Sequence, residues 1–184
     1  RKGLSWRGWK KQYNKANKNY MQTSKIGTIE SLIQHINGQD LSYVKVLVID
    51  TLNMIMVDDE MARMREKNYD KWVDLAQCVW NLITDIQLLR DDLTVVCMAH
   101  TQTDRDDSGY YFTRMKTSGK KLDKLVPESK FTTVLVAKAA DGKYVFETQS
   151  NHSTAKSPLG CFTDREIDND MVKVIDTLTK YEEE

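Results

Sequence analysis

The sequence predicts an α/β protein with a mostly parallel sheet flanked by helices and a C-terminal β-hairpin. Two apolar, β-branched runs, VKVLVID at 44–50 and LTVVCMA at 93–99, are typical of strands buried on both faces. Apolar residues at helical spacing separate the runs, and the order strand, helix, strand favours a right-handed crossover between parallel strands. The 184 residues, 40% of them hydrophobic, suffice for one core without disulfide or metal.

The helices follow from apolar spacing. The first should begin at the N-cap Thr28 and end near Gly38, because apolar residues follow at i, i+3, i+4 and i+7: Ile29, Leu32, Ile33 and Ile36. Three acids are expected to cap a helix that begins near them, where negative charge is favourable: Asp58, Asp59 and Glu60. The long helix of the crossover should run from Tyr69 to Arg90, with Trp72 and Trp80 in the core.

Further elements follow the second strand. A polar loop through Lys116 leads to a short helical stretch near 122–126 and to a third strand, Thr132–Lys138. The turn at 140–142 joins that strand to Tyr144–Thr148, which predicts a hairpin. A last amphipathic helix is predicted over Met171–Leu178.

Charge is distributed unevenly along the chain. The 27 Lys and Arg residues balance the 27 Asp and Glu residues, but residues 1–25 hold eight basic residues and no acidic one. Residues 163–184 hold eight acidic and three basic residues. We therefore divide the chain into a basic aromatic arm at 1–27, a core at 28–162, and an acidic C-terminal helix and tail at 163–184. The balanced total excludes a uniformly basic nucleic-acid binder, but it does not exclude a nucleic-acid partner.

Cysteine usage and hydropathy predict a cytoplasmic protein. The three cysteines are widely spaced, which suits free thiols in a reducing compartment, and no Cys/His spacing is typical of zinc. No apolar run approaches the roughly 20 residues of a membrane span, and no signal-type segment opens the chain.

Polar residues follow both predicted parallel strands. Asp50 and Thr51 end the first strand, and His100 and Gln102 follow the second. Ligands of open parallel sheets bind beyond the carboxyl ends of the strands, where a carboxylate can hold Mg²⁺ beside nucleotide phosphates. The alternatives are that Asp50 caps the next helix or turn and that His100 makes an ordinary loop hydrogen bond.

A phosphate-binding loop of the pattern GxxxxGK[ST] is absent from the sequence. Either this chain lacks the strand, loop and helix that would carry it, or the protein is not a competent nucleotidase. The order of the other motifs favours the first alternative.

Taken together, the segments VKVLVIDTLN, VVCMAHTQ, TTVLVAKAADGKYVFETQ and AKSPLGCF resemble phage-encoded RecA-like P-loop ATPases, a group that includes single-strand-annealing recombination proteins. The resemblance covers residues 28–162. It implies a RecA-like core, ATP and Mg²⁺ as cofactors, Asp50 as the Walker B aspartate, and His100 and Gln102 as γ-phosphate sensors. It further implies a homo-oligomer in the cytoplasm of a bacterial host, with Lys156, and also Lys138, at the neighbouring subunit's nucleotide. The implied role is DNA recombination or replication, with a single-strand-binding protein as a further partner.

The resemblance also implies that single-stranded DNA binds to the loops after the two strands. The first loop carries three cations: Arg63, Arg65 and Lys67. The second carries cations around aromatic residues: Arg105, Tyr110, Tyr111, Phe112, Arg114, Lys116, Lys120 and Lys121. Cations neutralise phosphates and aromatic rings stack on unpaired bases. The alternative is a solvated loop whose aromatic rings pack back on the protein, since Asp104, Asp106 and Asp107 dilute its positive charge.

We therefore expect an ATP-binding protein that binds single-stranded DNA and hydrolyses ATP when a complete P-loop is present. The alternative is a non-enzymatic module that binds nucleic acid or a protein on a degenerate α/β domain. A nuclease using Asp50 with Asp104 or Asp106 is disfavoured, because these acids do not form the compact cluster that two metal ions need.

Overall fold

The computed structural model describes residues 4, 6–67, 70–118 and 124–183. Five α-helices are described: α1 Trp9–Gln12, α2 Ile26–Asn37, α3 Leu52–Ala62, α4 Asp70–Gln87 and α5 Met171–Glu183. Seven strands are described: β1 Val46–Ile49, β2 Thr94–Cys97, β3 Thr101–Arg105, β4 Tyr111–Met115, β5 Val136–Ala140, β6 Lys143–Glu147 and β7 Glu166–Asp168. Two short 3₁₀ helices lie at Gln39–Leu41 and Pro127–Lys130.

The strands form three small sheets, so the predicted mostly parallel, RecA-like sheet is wrong. β1 and β2 form a parallel pair, β3 and β4 form an antiparallel pair, and β5, β6 and β7 form an antiparallel sheet. A further parallel strand needs a crossover of a dozen or more residues. After β2 the chain instead enters the β3–β4 hairpin, and β5 pairs with β6 rather than with β1 or β2.

The predicted parallel pairing of the two strands is confirmed. β1 and β2 pair in parallel with Val46 opposite Thr94 and Ile49 opposite Cys97, and α3 and α4 connect them. The expectation that β1 is buried on both faces is wrong, because Val46 and Val48 are exposed while Leu47 and Ile49 pack against the core. One face of this pair is thus covered by helices, and the other is open.

The core lies between α2, α3, α4 and the covered face of β1 and β2. The predicted long helix is confirmed as α4, whose apolar face is buried: Leu75, Ala76, Val79, Leu82, Ile83 and Ile86. Trp72 packs against this core, whereas Trp80 is half-buried with the Lys130 ammonium 4.1 Å from its ring centroid.

Two predicted helix starts are wrong. α2 begins at Ile26, ahead of Thr28, and the extended Lys25 precedes it without a side-chain cap. The three acids at 58–60 lie inside α3, and the hydroxyl of Thr51 caps that helix by accepting from the N–H of Met54. Part of the predicted helical stretch at 122–126 lies outside the described residues. In the part that is described, Lys124 and Leu125 are helical.

The C-terminal part forms a second, smaller core. The predicted hairpin is confirmed as β5–β6, with Asp141 and Gly142 both at positive φ, as its two-residue turn requires. α5 begins where the Asp170 carboxylate accepts the N–H groups of Val172 and Lys173, and it extends the predicted helix to Glu183. Its buried residue Val174 packs with Phe146 and Phe162.

A connecting segment, residues 152–156, ties the β3–β4 hairpin to the C-terminal part. Thr113 of β4 donates its N–H to the carbonyl of His152 at 2.8 Å and accepts from the N–H of Thr154 at 3.0 Å. The other end of the segment pairs with Val134, which exchanges two backbone hydrogen bonds with Lys156. The hairpin is therefore held by backbone hydrogen bonds along β4.

Candidate nucleic-acid interface and strand-end site

The carboxyl ends of β1 and β2 meet at one edge of their sheet, the strand-end edge. The N–H of Met98 donates to the carbonyl of Ile49 at 2.9 Å, and the N–H of Leu52 donates to the carbonyl of Met98 at 3.0 Å. Asp50 and His100 follow the two strands at this edge and are exposed. Asp50 does not cap α3, because Thr51 does, and within the described chain its carboxylate has no hydrogen-bond or ion-pair partner.

Asn53 connects the strand-end edge to the hairpin, a role that sequence reasoning missed. This residue is 7% exposed, and its Oδ1 accepts the N–H of His100 at 2.5 Å while its Nδ2 donates to the carbonyl of Lys116 at 2.5 Å. The N–H of Lys116 also donates to the carbonyl of His100 at 2.8 Å. A single buried amide thus joins α3, the end of β2 and the end of β4. The only signal in the sequence is a polar residue among the apolar, buried positions at the start of α3.

An open groove of about 110 Å³ lies beside Asp50. The polar residues among those that line it are Asp50, Thr23, Ser24 and Thr51. The rest of the lining is mainly apolar and comes from the residues before α2, from α2, from β1 and from the start of α3. Four residues with carboxylate or hydroxyl side chains and a larger number of apolar residues therefore line the groove.

The strand-end edge fits Mg²⁺ only as part of a metal–nucleotide complex. No group of three His, Cys, Asp or Glu side chains in the described ranges is placed to hold a metal ion. Mg²⁺ that arrives with ATP takes most of its ligands from phosphates and water and needs one or two carboxylates from the protein. Asp50 can supply one such ligand, with the Thr51 hydroxyl next to it in the chain.

The two predicted sensor residues have different surroundings. His100 lies at the strand-end edge, held by its backbone as described above. Gln102 lies in β3, and its Nε2 donates to the Asp104 carboxylate at 2.9 Å. The structure therefore brings His100 to the same edge as Asp50 and engages the Gln102 amide within the hairpin.

The β3–β4 hairpin carries the most exposed aromatic rings of the predicted DNA-binding loops. Tyr110 and Tyr111 are 62% and 67% exposed at its turn. The Arg105 guanidinium lies 5.6 Å from the ring centroid of Tyr111, and the ring of Tyr110 stacks on that of His152 with centroids 5.9 Å apart. Phe112 is half-buried in the hairpin. The two tyrosine rings, unlike Phe112, are thus presented to solvent and oriented by neighbours.

Charges on the hairpin are partly neutralised. The Arg114 guanidinium donates to the Asp104 carboxylate at 2.6 Å, and this bond, with that from Gln102, holds the pKa of Asp104 below its usual range. Arg105 donates to the carbonyl of Gly109 and forms no ion pair with a carboxylate of the described residues. Lys116 is exposed at the end of β4, whereas Lys120 and Lys121 lie outside the described residues.

The cations of the other predicted sites divide into two groups. Arg63 is held by carboxylates, since it donates to Glu66 and to Asp74 at 2.9 Å each. Lys138 is likewise ion-paired, with Glu147 and Glu166. The remaining cations have no such ion pair in the described chain: Arg65 and Lys67 are exposed and Lys156 is half-buried.

The three thiols are not prepared for nucleophilic chemistry. All of them are free, and burial raises the pKa of Cys97 to about 12. Burial also raises the pKa of Cys78 and of Cys161. A thiolate, which is the reactive form, is therefore disfavoured at each position.

No protein-family model, curated protein or solved structure matches this chain. The candidate roles of its residues rest on geometry and chemistry alone. Among the described residues, no helix has both the length and the apolar character that a membrane span requires.

Proposed function

We propose that this protein binds single-stranded DNA through the β3–β4 hairpin. The observation that supports this function is the pair of exposed rings at the turn, Tyr110 and Tyr111, next to the Arg105 guanidinium. Exposed aromatic rings beside cations form a surface that binds single strands, because each ring stacks on an unpaired base and each cation replaces a counterion at a phosphate.

Single strands suit this surface better than duplexes. In a duplex the base faces are stacked on one another, so a tyrosine ring can reach them only after unstacking. The hairpin also carries Asp104, Asp106 and Asp107, which weaken purely electrostatic binding to a duplex backbone. Stacking contributes ~1–3 kcal/mol per base and is insensitive to salt, so it favours an unpaired strand. DNA annealing and DNA replication both need proteins that bind single-stranded DNA.

The second part of the proposal is that ATP with Mg²⁺ binds at the strand-end edge. The observation that favours it is the exposed, unpartnered Asp50 carboxylate where two parallel strands end beside an open groove. Asp50 would hold the ion, which screens the phosphate charges of the nucleotide. Asn53 joins the backbone of His100 to that of Lys116, so a ligand that displaces His100 also acts on the end of β4.

Removing both exposed rings, Tyr110→Ala/Tyr111→Ala, is expected to weaken binding of an oligothymidylate about tenfold to hundredfold, because two stacking contacts of ~1 kcal/mol or more are lost. The dissociation constant is measured by fluorescence anisotropy with a labelled 20-mer at several salt concentrations. The dependence of affinity on salt should stay as in the unmodified protein, since no cation is removed.

The matched control is Tyr144→Ala, a ring that is 70% exposed on β6 in the other sheet. It should leave the dissociation constant unchanged. Equal affinity of the Tyr110→Ala/Tyr111→Ala variant and the Tyr144→Ala variant would contradict hairpin binding.

Replacing Asp50 with asparagine is expected to abolish the part of ATP affinity that depends on Mg²⁺, because the amide carries no charge for the ion. Binding of a fluorescent ATP analogue is titrated with Mg²⁺ and with EDTA. The exposed Asp91, in the turn before β2, provides the control Asp91→Asn. A Mg²⁺ dependence equal in Asp50→Asn and unmodified protein would exclude Asp50 as the ligand.

A further inference from the structure

Asparagine side chains hold the N-terminal arm in a compact form. The Oδ1 of Asn14 accepts the N–H of Asn17 at 2.9 Å, and the N–H of Asn14 donates to the Oδ1 of Asn19 at 3.1 Å. The amides of Asn17 and Asn19 both donate to the carbonyl of Gln12, at 3.0 and 2.8 Å. These bonds connect the end of α1 to the chain that follows it, so the arm has a defined shape without an apolar core.

This shape presents a dense set of cations. Six basic side chains are exposed on the described part of the arm: Arg7, Lys10, Lys11, Lys15, Lys18 and Lys25. The first acidic residue of the chain is Glu30, and none of the ion pairs found in the described ranges involves the arm. The positive charge is therefore not neutralised within the described molecule.

Aromatic rings are interleaved with these cations. Trp6 and Tyr13 meet edge to face at 5.6 Å and are both exposed, and Trp9 and Tyr20 pack at 5.0 Å. The Lys10 ammonium lies 5.8 Å from the ring centroid of Trp9. Exposed ring faces thus lie within a surface whose charge is uniformly positive.

We propose that the arm is a second binding surface for single-stranded DNA, distinct from the β3–β4 hairpin. Its cations contact phosphates, and Trp6 and Tyr13 stack on bases. The inference rests on the proposed function in that the partner is the same kind of strand, but the residues that carry it are separate. Because Met21, Thr23 and Ser24 at the end of the arm line the groove beside Asp50, a strand bound to the arm also passes near the strand-end edge.

The composition of the arm favours DNA over other polyanions. An interfacial lipid-binding segment requires a helix with one continuous apolar face, and the described helix of the arm, Trp9–Gln12, is only four residues long. The acidic helix α5 of a second copy is a poorer match, because it offers the carboxylates of Asp176, Glu182 and Glu183 but only one aromatic ring, Tyr181. A nucleic-acid strand offers both regularly spaced charges and ring faces.

The test compares two charge variants that are matched in number. Lys11→Gln/Lys15→Gln removes two exposed cations from the arm, and Lys143→Gln/Lys180→Gln removes two exposed lysines elsewhere. For an oligothymidylate long enough to reach both surfaces, the arm variant should bind about tenfold more weakly at low salt, with a salt slope smaller by about 1.4. The other variant should bind like the unmodified protein. Trp6→Ala/Tyr13→Ala should lower affinity without changing the slope, and circular dichroism verifies that each variant is folded.

The outcomes separate this inference from the hairpin proposal. If Tyr110→Ala/Tyr111→Ala binds normally while the arm variant is weakened, the hairpin proposal fails and the arm inference stands. If the arm variant keeps the affinity and salt slope of the unmodified protein, the arm inference is overturned. It is also overturned if the only binding that the arm variant loses is binding to phosphatidylglycerol vesicles, or if the only property that it loses is self-association measured by light scattering. A third outcome that overturns it is a blunt duplex that binds as tightly as the single strand.

Discussion

Replacing Glu147 with alanine is expected to lower the free energy of unfolding by about 2–4 kcal/mol, because donors that bind this carboxylate lose their acceptor. Glu147 is 0% exposed, pairs with the Lys138 ammonium, and accepts hydrogen bonds from the Ser153 hydroxyl and the N–H of Asn151 at 3.1 Å. Removal of the carboxylate leaves the buried Ser153 hydroxyl and the N–H of Asn151 without this acceptor, and it leaves Lys138 with Glu166 as its remaining carboxylate. Urea unfolding followed by circular dichroism measures the change.

Two further variants test whether the burial and the charge of Glu147 cause the loss of stability in Glu147→Ala. Glu166→Ala removes the exposed carboxylate that shares Lys138 and should cost less than about 1 kcal/mol. Glu147→Gln keeps the shape but not the charge, and should cost less than Glu147→Ala. Equal urea midpoints of unfolding for Glu147→Ala and Glu166→Ala would contradict the stabilising role of the ion pair between Glu147 and Lys138.

The pH dependence gives an independent check on Glu147. Burial raises its pKa, but the ion pair with Lys138 and the hydrogen bonds from Ser153 and Asn151 outweigh burial and hold the pKa below the usual 4.5. A carboxylate whose pKa is lower in the folded state stabilises the fold above the unfolded value and loses that contribution as pH falls. The stability difference between unmodified protein and Glu147→Gln should therefore be full above about pH 4.5 and shrink in acid.

Replacing Asn53 with alanine is expected to lower the free energy of unfolding by about 2–4 kcal/mol, because the N–H of His100 and the carbonyl of Lys116 both lose their buried partner. Chemical denaturation measures the cost, and hydrogen exchange at the His100 amide should accelerate. Asn53→Asp keeps the acceptor for His100 and loses the donor to Lys116, so its effect on exchange at His100 should be smaller.

Asn81 supplies the comparison for Asn53. It is exposed on α4 and makes one long contact, 3.5 Å, with the Gln77 amide. Asn81→Ala should unfold within about 0.5 kcal/mol of the unmodified protein. If Asn53→Ala unfolded at the same denaturant concentration as Asn81→Ala, the bridge between the strand-end edge and the hairpin would carry no energy.

The spacing of apolar residues predicted individual helices and strands better than it predicted how the strands are arranged in sheets. The α4 helix and the β5–β6 hairpin follow from local spacing and a turn sequence, and both are confirmed. β3 was missed because residues 101–105, TQTDR, contain no apolar residue and therefore no alternation to recognise. Which strands share a sheet depends on contacts between distant segments, so the parallel sheet that the pattern of buried strands predicted was wrong.

The candidate site was predictable only where one local rule applied. Asp50 and His100 follow from the rule that ligands bind beyond the ends of parallel strands, and the structure places them at one edge. The roles of Asn53, Glu147 and His152 could not be predicted, because each depends on partners brought close only by the fold: Lys116, Lys138 and Tyr110. The DNA-binding and ATP-binding roles remain predictions.

The connecting segment at 152–156 also sets an order of assembly. The β3–β4 hairpin is closed by a short turn, so its loop-closure entropy is small and it can form soon after its own residues are synthesised. Its anchoring to His152 and Thr154 has to wait until β5 and β6 have been made, and such non-local pairings form slowly. The stacking of the Tyr110 ring on His152 is therefore formed late in folding, after the hairpin itself exists.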